Sequence, residues 1–187
     1  MLSDIPMFVY LIVFVIVILS ILVGIAVVIL TIVKAVKSKD YTKVKHNVIT
    51  ILCMAVAAAS WIFNAGWLRV IMTFIAAPFI HAIIFFFVNN FAASYIKESK
   101  LLKVLAIFSY ISYIIGYIFL PDGGDIGGLY VFFGLVHNDA IADISFDISG
   151  YGFMANTIIL VLQLIMSIRA KKLETKKSAN SDSVNAS

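Results

Sequence analysis

The sequence predicts an all-α integral membrane protein. Five transmembrane helices are expected in a compact bundle, with the N-terminus outside, the C-terminus inside and a structured extracytoplasmic loop between the fourth and fifth. Three observations carry this. The 187-residue chain is 63% hydrophobic and 13% charged, with a mean hydropathy of +1.07, whereas soluble domains sit nearer half apolar and a quarter charged. Uncharged runs long enough for a helix to cross a hydrocarbon core, about 20 residues, recur along the chain. Every basic residue except Arg69 falls in one of three groups that an odd number of spans places on the same side.

Met7 to Val33 is uncharged and long enough to span with tilt. Asp4 precedes it and no basic residue does, so it reads as a first span with its N-terminus outside, not as a cleaved signal. The connector KAVKSKDYTKVKHN leads to a second span, Asn47 to about Ala65. NAGWLR is a tight turn. The third span, Val70 to Ile96, carries Pro78 and is expected to kink there. KESKLLK precedes the fourth, Leu101 to Leu120, which Pro121 and paired glycines stop. The fifth is Tyr151 to Ile168. Residues 1–170 thus form one domain, and 171–187 read as a disordered cytoplasmic tail, basic and then rich in Ser and Asn. There is no internal repeat.

Lys34, Lys37, Lys39, Lys43 and Lys45 follow span one. Lys97, Lys100 and Lys103 follow span three, and Arg169, Lys171, Lys172, Lys176 and Lys177 follow span five. Short basic loops stay in the cytoplasm. This arrangement implies a multi-pass protein of the plasma membrane. The preference for lysine over arginine suggests a bacterial source. The net charge of +4 points to membrane flanks and not to nucleic acid, because the basic residues sit beside apolar runs.

Polar side chains within a span must face protein, since lipid offers them no partner. Each span carries a narrow stripe of small or polar residues at helical spacing: Ser20, Gly24 and Thr31 in the first; Cys53, Ala57, Ser60 and Asn64 in the second. The third carries His81 and Asn89; the fourth Ser109, Ser112 and Gly116 beside Tyr110, Tyr113 and Tyr117; the fifth Asn156, Gln163 and Ser167. Such stripes are the seams of a helix bundle. By depth, His81, Gln163, Tyr110, Tyr113 and Asn64 are expected to form an intramembrane polar layer. A lone His without a carboxylate reads first as a structural hydrogen-bonding group and second as a proton or ligand site. It is a poor metal site. No metal, cofactor or catalytic residue is implied: Ser60 and Ser109 sit in no nucleophile motif, and DGGDIGG lacks the lysine of a phosphate loop. No discontinuous helix pair is evident from the sequence, which weighs against alternating access.

The loop of residues 121–150 holds Asp122, Asp125, Asp139, Asp143 and Asp147 and no Lys or Arg. Its favoured reading is a hairpin of LYVFFGLV against DISFDIS. The competing reading is a helix placing Asp139, Asp143 and Asp147 on one face, where like charges repel. A solvated acidic surface is favoured over a Ca²⁺ site, since the spacing is not that of an EF-hand. With Tyr130, Phe132, Phe133 and Phe146 the acids form an expected contact face for a protein or peptide partner. A strand over 143–149 would add to the partner's sheet. The function implied is non-enzymatic: binding or regulating a partner, as in immunity to a membrane-active toxin or bacteriocin, or as an accessory subunit. The alternative is a small solute transporter or channel acting as an oligomer, and the third is an intramembrane enzyme.

Overall fold

The computed structural model describes residues 7–64, 66–123 and 128–185, with side chains at 15, 18–19 and within 22–177. Asp125 and the Ser20 side chain lie outside this set. The protein is mostly helical. Its elements are α1 (Met7–Ser38), α2 (Thr42–Phe63), α3 (Trp67–Phe74), α4 (Ala77–Ala93), α5 (Lys100–Ile118), β1 (Tyr130–Val131), β2 (Val136–His137) and α6 (Asp139–Asn185). Among the described residues α2, α5 and the part of α6 up to Lys177 are each long and apolar enough to cross a membrane. The bent pair α3–α4 makes a fourth when its two helices are counted as one broken span.

The most extensive packing is α5 against α6, with α2 and α4 also joined to this pair and α1 lying against α2 and α4. Small residues allow the α5–α6 approach. A Cβ on Gly152 would lie 2.8 Å from Gly116 N, and Ser149 Oγ donates to Gly116 O at 2.7 Å. The buried face of α6 runs Ala142, Ser145, Ser149, Asn156, Leu160, Gln163 and Ser167, a spacing of three and four that one helix face requires. Tyr113 stacks on Phe85 with centroids 3.8 Å apart, joining α5 to α4. The outward faces carry large exposed apolar side chains, such as Leu30, Ile62, Phe108 and Ile158.

Four expectations need correction. The kink expected near Pro78 in the span over Val70 to Ile96 is present but goes further, to a full break: α3 and α4 meet at 68°. Ala76 sits in the left-handed region at φ 58, and Pro78 opens α4, where a missing N–H costs nothing. So the chain does contain a discontinuous helix. The hairpin over 129–136 and 143–149 is also wrong. A hairpin exists, but it is two-residue β1 against β2, pairing Tyr130 with His137 and Val131 with Val136. Phe132, Phe133 and Gly134 turn it at positive φ. Residues 143–149 belong to α6, so no strand is offered there to a partner.

The fifth helix therefore begins at Asp139, not Tyr151. Asn138 caps it, accepting at Oδ1 from Ile141 N at 3.1 Å, and Asp139 lies in the first turn, where a negative charge is favoured. Repulsion between carboxylates four residues apart is worth only about 0.2–0.5 kcal/mol per pair. The seam of Ala142, Ser145 and Ser149 outweighs it. Finally, residues 171–185, expected to be a disordered tail, continue α6; the segment AKKLETKK is made largely of good helix formers.

Candidate functional site

Where the α2–α3 turn meets the segment after α5, a buried charge pair joins three helix ends. Arg69, in α3, is 1% exposed. Its Nη2 donates to Leu120 O at 2.7 Å and to Tyr117 O at 3.3 Å, and its Nη1 donates to Ser60 O. These carbonyls belong to the last turn of α2 and to the last turn and exit of α5. Ser60 O also takes the capping N–H of Asn64 at 3.2 Å, while the carbonyls at the exit of α5 lie where intrahelical donors run out, and a cation there also meets the negative end of the helix dipole. Trp61 lies beneath the guanidinium at 5.3 Å from its ring centroid.

Asp122 is the counterpart at a helix N-terminus. It is 4% exposed and accepts from Gly66 N at 3.0 Å, Leu68 N at 3.1 Å and Arg69 N at 2.8 Å. Those are the orphan donors of the first turn of α3. A Cβ on Gly66 would collide with the Asp122 carboxylate, so this close approach requires glycine. Asn64 completes the junction, donating from Nδ2 to Leu120 O at 3.1 Å and Tyr130 O at 2.9 Å. Asp122 also pairs with Tyr130 through the backbone, at 3.0 and 2.8 Å. Arg69 Nε, 4.0 Å from Asp122 Oδ2, has no hydrogen-bond partner among the described residues.

Further along the helices lies a polar chain through α4, α5 and α6. Asn156 Nδ2 donates to Ser109 O at 2.8 Å and Ser112 Oγ at 3.0 Å. A carbonyl only accepts, so the amide is oriented and Asn156 Oδ1 faces His81 Nε2 at 2.9 Å. His81 therefore carries its proton on Nε2, and Nδ1 accepts from Tyr117 Oη–H at 3.1 Å. Both ring nitrogens are engaged. Next along, Asn89 Nδ2 donates to Ser109 Oγ at 3.1 Å, and Gln163 Nε2 donates to Asn89 Oδ1 at 3.2 Å.

A third polar level lies nearer the lysine-rich turns. There His46 Nδ1 meets Tyr110 Oη at 3.1 Å, and Asn90 Nδ2 donates to Asn47 Oδ1 at 2.9 Å. The expected layer is thus spread over three levels. Asn64 belongs to the Arg69 junction. His81 and Gln163 share the middle chain through different partners, with the Tyr113 ring 5.1 Å from the His81 ring. Tyr110 belongs to the third level.

The bend between α3 and α4 leaves a cavity of about 270 Å³ beside the middle chain, lined by Trp61, Met72, Pro78, His81, Tyr117 and Phe153 among others. Its wall is mostly apolar, with His81, Tyr117 and Thr157 as polar members. Among the described residues, no cluster of three His, Cys, Asp or Glu side chains is placed to hold a metal.

The expected partner-contact residues separate into three sets. Asp122 is buried and consumed by α3. Phe132 and Phe133 are half-buried, and Phe132 packs edge-on against Phe119 at 4.9 Å. Tyr130, Asp139, Asp143, Phe146 and Asp147 are exposed, with Tyr130 stacked on His137 at 4.6 Å. Leu135, at 83% exposure, stands at the tip of the hairpin. Sequence reasoning missed Arg69 as a site residue. The available signal was its isolation: it is the one basic residue away from the three lysine-rich groups, in a chain that places half of its acids in the loop of residues 121–150. No family model, curated protein or solved structure matches this chain.

Proposed function

We propose that this chain is a five-span protein of a bacterial plasma membrane that binds a basic protein or peptide at its extracytoplasmic face and performs no chemistry of its own. The fifth span is α1, uncharged from Met7 to Val33 and helical over that run. The lysine-rich turns are then cytoplasmic and the Arg69–Asp122 junction lies near the outer surface. α6 is uncharged between Asp147 and Arg169, about 30 Å of helix, so its first turns project beyond the bilayer.

The observation that carries the binding reading is the exposed start of α6. Asp139, Asp143 and Asp147 stand on it beside Ile144, 63% exposed, and Phe146, 57% exposed. Apolar side chains rimmed by charge of one sign mark contact surfaces, and the acids steer a basic partner. A toxin-immunity role and an accessory-subunit role both fit such a surface.

The test uses the full chain in nanodiscs of neutral lipid and an amphipathic Lys/Leu peptide as probe. Changing Asp139, Asp143 and Asp147 together to Asn is expected to lower the association rate about tenfold at low salt and to flatten its salt dependence. An unchanged rate and salt slope rule out docking through this face. A second reading, a small solute carrier or channel, is favoured by the α3–α4 break, because discontinuous helices commonly build substrate sites. Solute flux in vesicles that His81→Gln abolishes would select it.

A further inference from the structure

At the end of the helices away from the Arg69 junction, the α1–α2 turn and the α4–α5 turn enclose a cavity of about 360 Å³. Its charged lining is Lys34, Lys43, Lys97 and Asp40. Lys97 Nζ is bound to Asp40 Oδ2 at 2.7 Å, and Lys43 Nζ donates to Ser94 Oγ at 3.0 Å. Lys34 makes no side-chain hydrogen bond or ion pair among the described residues. Asp40 thus neutralises one of three converging ammonium groups, and Lys34 and Lys43 remain in excess.

The rest of the lining pairs the hydroxyls of Thr31, Ser38, Thr42 and Ser94 with an apolar wall that includes Val27 and Leu30 of α1. Leu30 is 68% exposed, so this wall opens onto the lipid-facing side of α1. Lys34 is the first charge after the apolar run of α1. Along the helix Leu30 lies about 6 Å and Val27 about 10 Å below it. Cations above an apolar wall at this spacing match a phosphodiester with its acyl chains descending beside the helix. A free anion needs the lysines but not the wall.

We propose that this cavity is a binding site for the headgroup of an anionic phospholipid. Lys34 and Lys43 face the phosphate, and Val27 and Leu30 line the start of an acyl chain. Basic pockets between membrane helices bind acidic headgroups in this way. The site rests on α1 lying in the bilayer and is independent of partner docking at α6.

The test titrates the full-length protein, purified in a neutral detergent, with dioleoylphosphatidylglycerol, with dioleoylphosphatidylcholine and with inorganic phosphate. Bound lipid is read by native mass spectrometry. The phosphatidylglycerol is expected to bind at least tenfold more tightly than the phosphatidylcholine and to resist displacement by millimolar phosphate. Each lysine near a headgroup is worth about fivefold in affinity. Lys34→Gln should therefore weaken binding about fivefold, and Lys34→Gln with Lys43→Gln about 25-fold. Lys34 holds no contact in the fold, so its single variant tests the site without disturbing the turn. Lys171→Gln with Lys172→Gln, on the exposed face of α6, should leave binding unchanged. Equal binding of the two lipids, displacement by phosphate, an unaffected Lys34→Gln variant, or an equal loss in the α6 control each overturns the proposal.

Discussion

The Lys97–Asp40 pair is short, 2.7 Å, with side chains 60% and 44% exposed. The Arg69–Asp122 pair is long, 4.0 Å, with side chains 1% and 3% exposed. The first joins the α1–α2 turn to the segment before α5, and the second joins the start of α3 to the segment after α5, at opposite ends of α2 and α5. Judged by distance the first pair is the stronger, and judged by physics it is the weaker. In water an exposed pair gains little, and salt screens it. In the buried pair the direct attraction is the smaller part. Arg69 supplies donors to the ends of α2 and α5, and Asp122 supplies acceptors to the start of α3. The buried ions are held by helix ends, and the helix ends are satisfied by the ions.

The largest effect expected from breaking this contrast is at Arg69. Arg69→Leu removes the donor shared by three carbonyls, each of which keeps one other donor from Ser60 or Asn64, and it leaves Asp122 as a buried charge beside no cation. The expected loss is about 3–5 kcal/mol, read as the shift in unfolding midpoint in a detergent titration. Arg69→Lys should recover little, because an ammonium cannot fork between α2 and α5. Lys97→Gln measured the same way should shift the midpoint far less. Equal shifts for Arg69→Leu and Lys97→Gln would show that burial does not separate the two pairs.

A medium effect is expected between the ends. His81→Leu removes one partner each from Asn156 and Tyr117, at a cost of about 1–3 kcal/mol. His81→Gln retains a donor and an acceptor and should cost clearly less in the same titration. If the two variants are equally stable, the middle chain is not held by His81.

The smallest effect concerns acid. The hydrogen bond from Lys97, with the Thr42 backbone N–H, holds the Asp40 carboxyl down at about 2. A carboxyl lowered in the folded state stabilises above its unfolded value of 3.8. That contribution is lost as pH falls from about 4 toward 2. The difference in unfolding midpoint between the native chain and Lys97→Gln should shrink across that window and at high salt. A difference that persists below pH 2 would mean Lys97 acts through something other than Asp40.

Much of the candidate site was legible as position and little of it as partnership. Ser60, Asn64, Asn89, Ser109, Asn156 and Gln163 can be picked out because each interrupts an apolar run at the spacing of one helix face. Their bonding partners cannot, because a partner lies on another helix at a depth that crossing angles decide. Hence Asn64 leaves the expected layer for the Arg69 junction, and Tyr110 pairs with His46 instead of joining His81. The acidic loop failed for a different reason. Alternation over 143–149 is weak evidence when Asn138, Asp139 and the seam from Ala142 to Ser149 indicate a helix start, a pattern visible only if read onward into the span.

By itself, the sequence determined that long apolar helices form, which of their faces carry polar side chains, and that lysine gathers at particular turns. These are local consequences of hydropathy, periodicity and charge, and they depend on residues close together along the chain. Tertiary structure alone decided how sharply α3 and α4 bend, at 68°, and that Arg69 and Asp122, 53 residues apart in the Arg69 N to Asp122 hydrogen bond, are buried together. Each of these depends on orphan backbone groups at helix ends finding partners. Which ends meet is settled only when the helices pack.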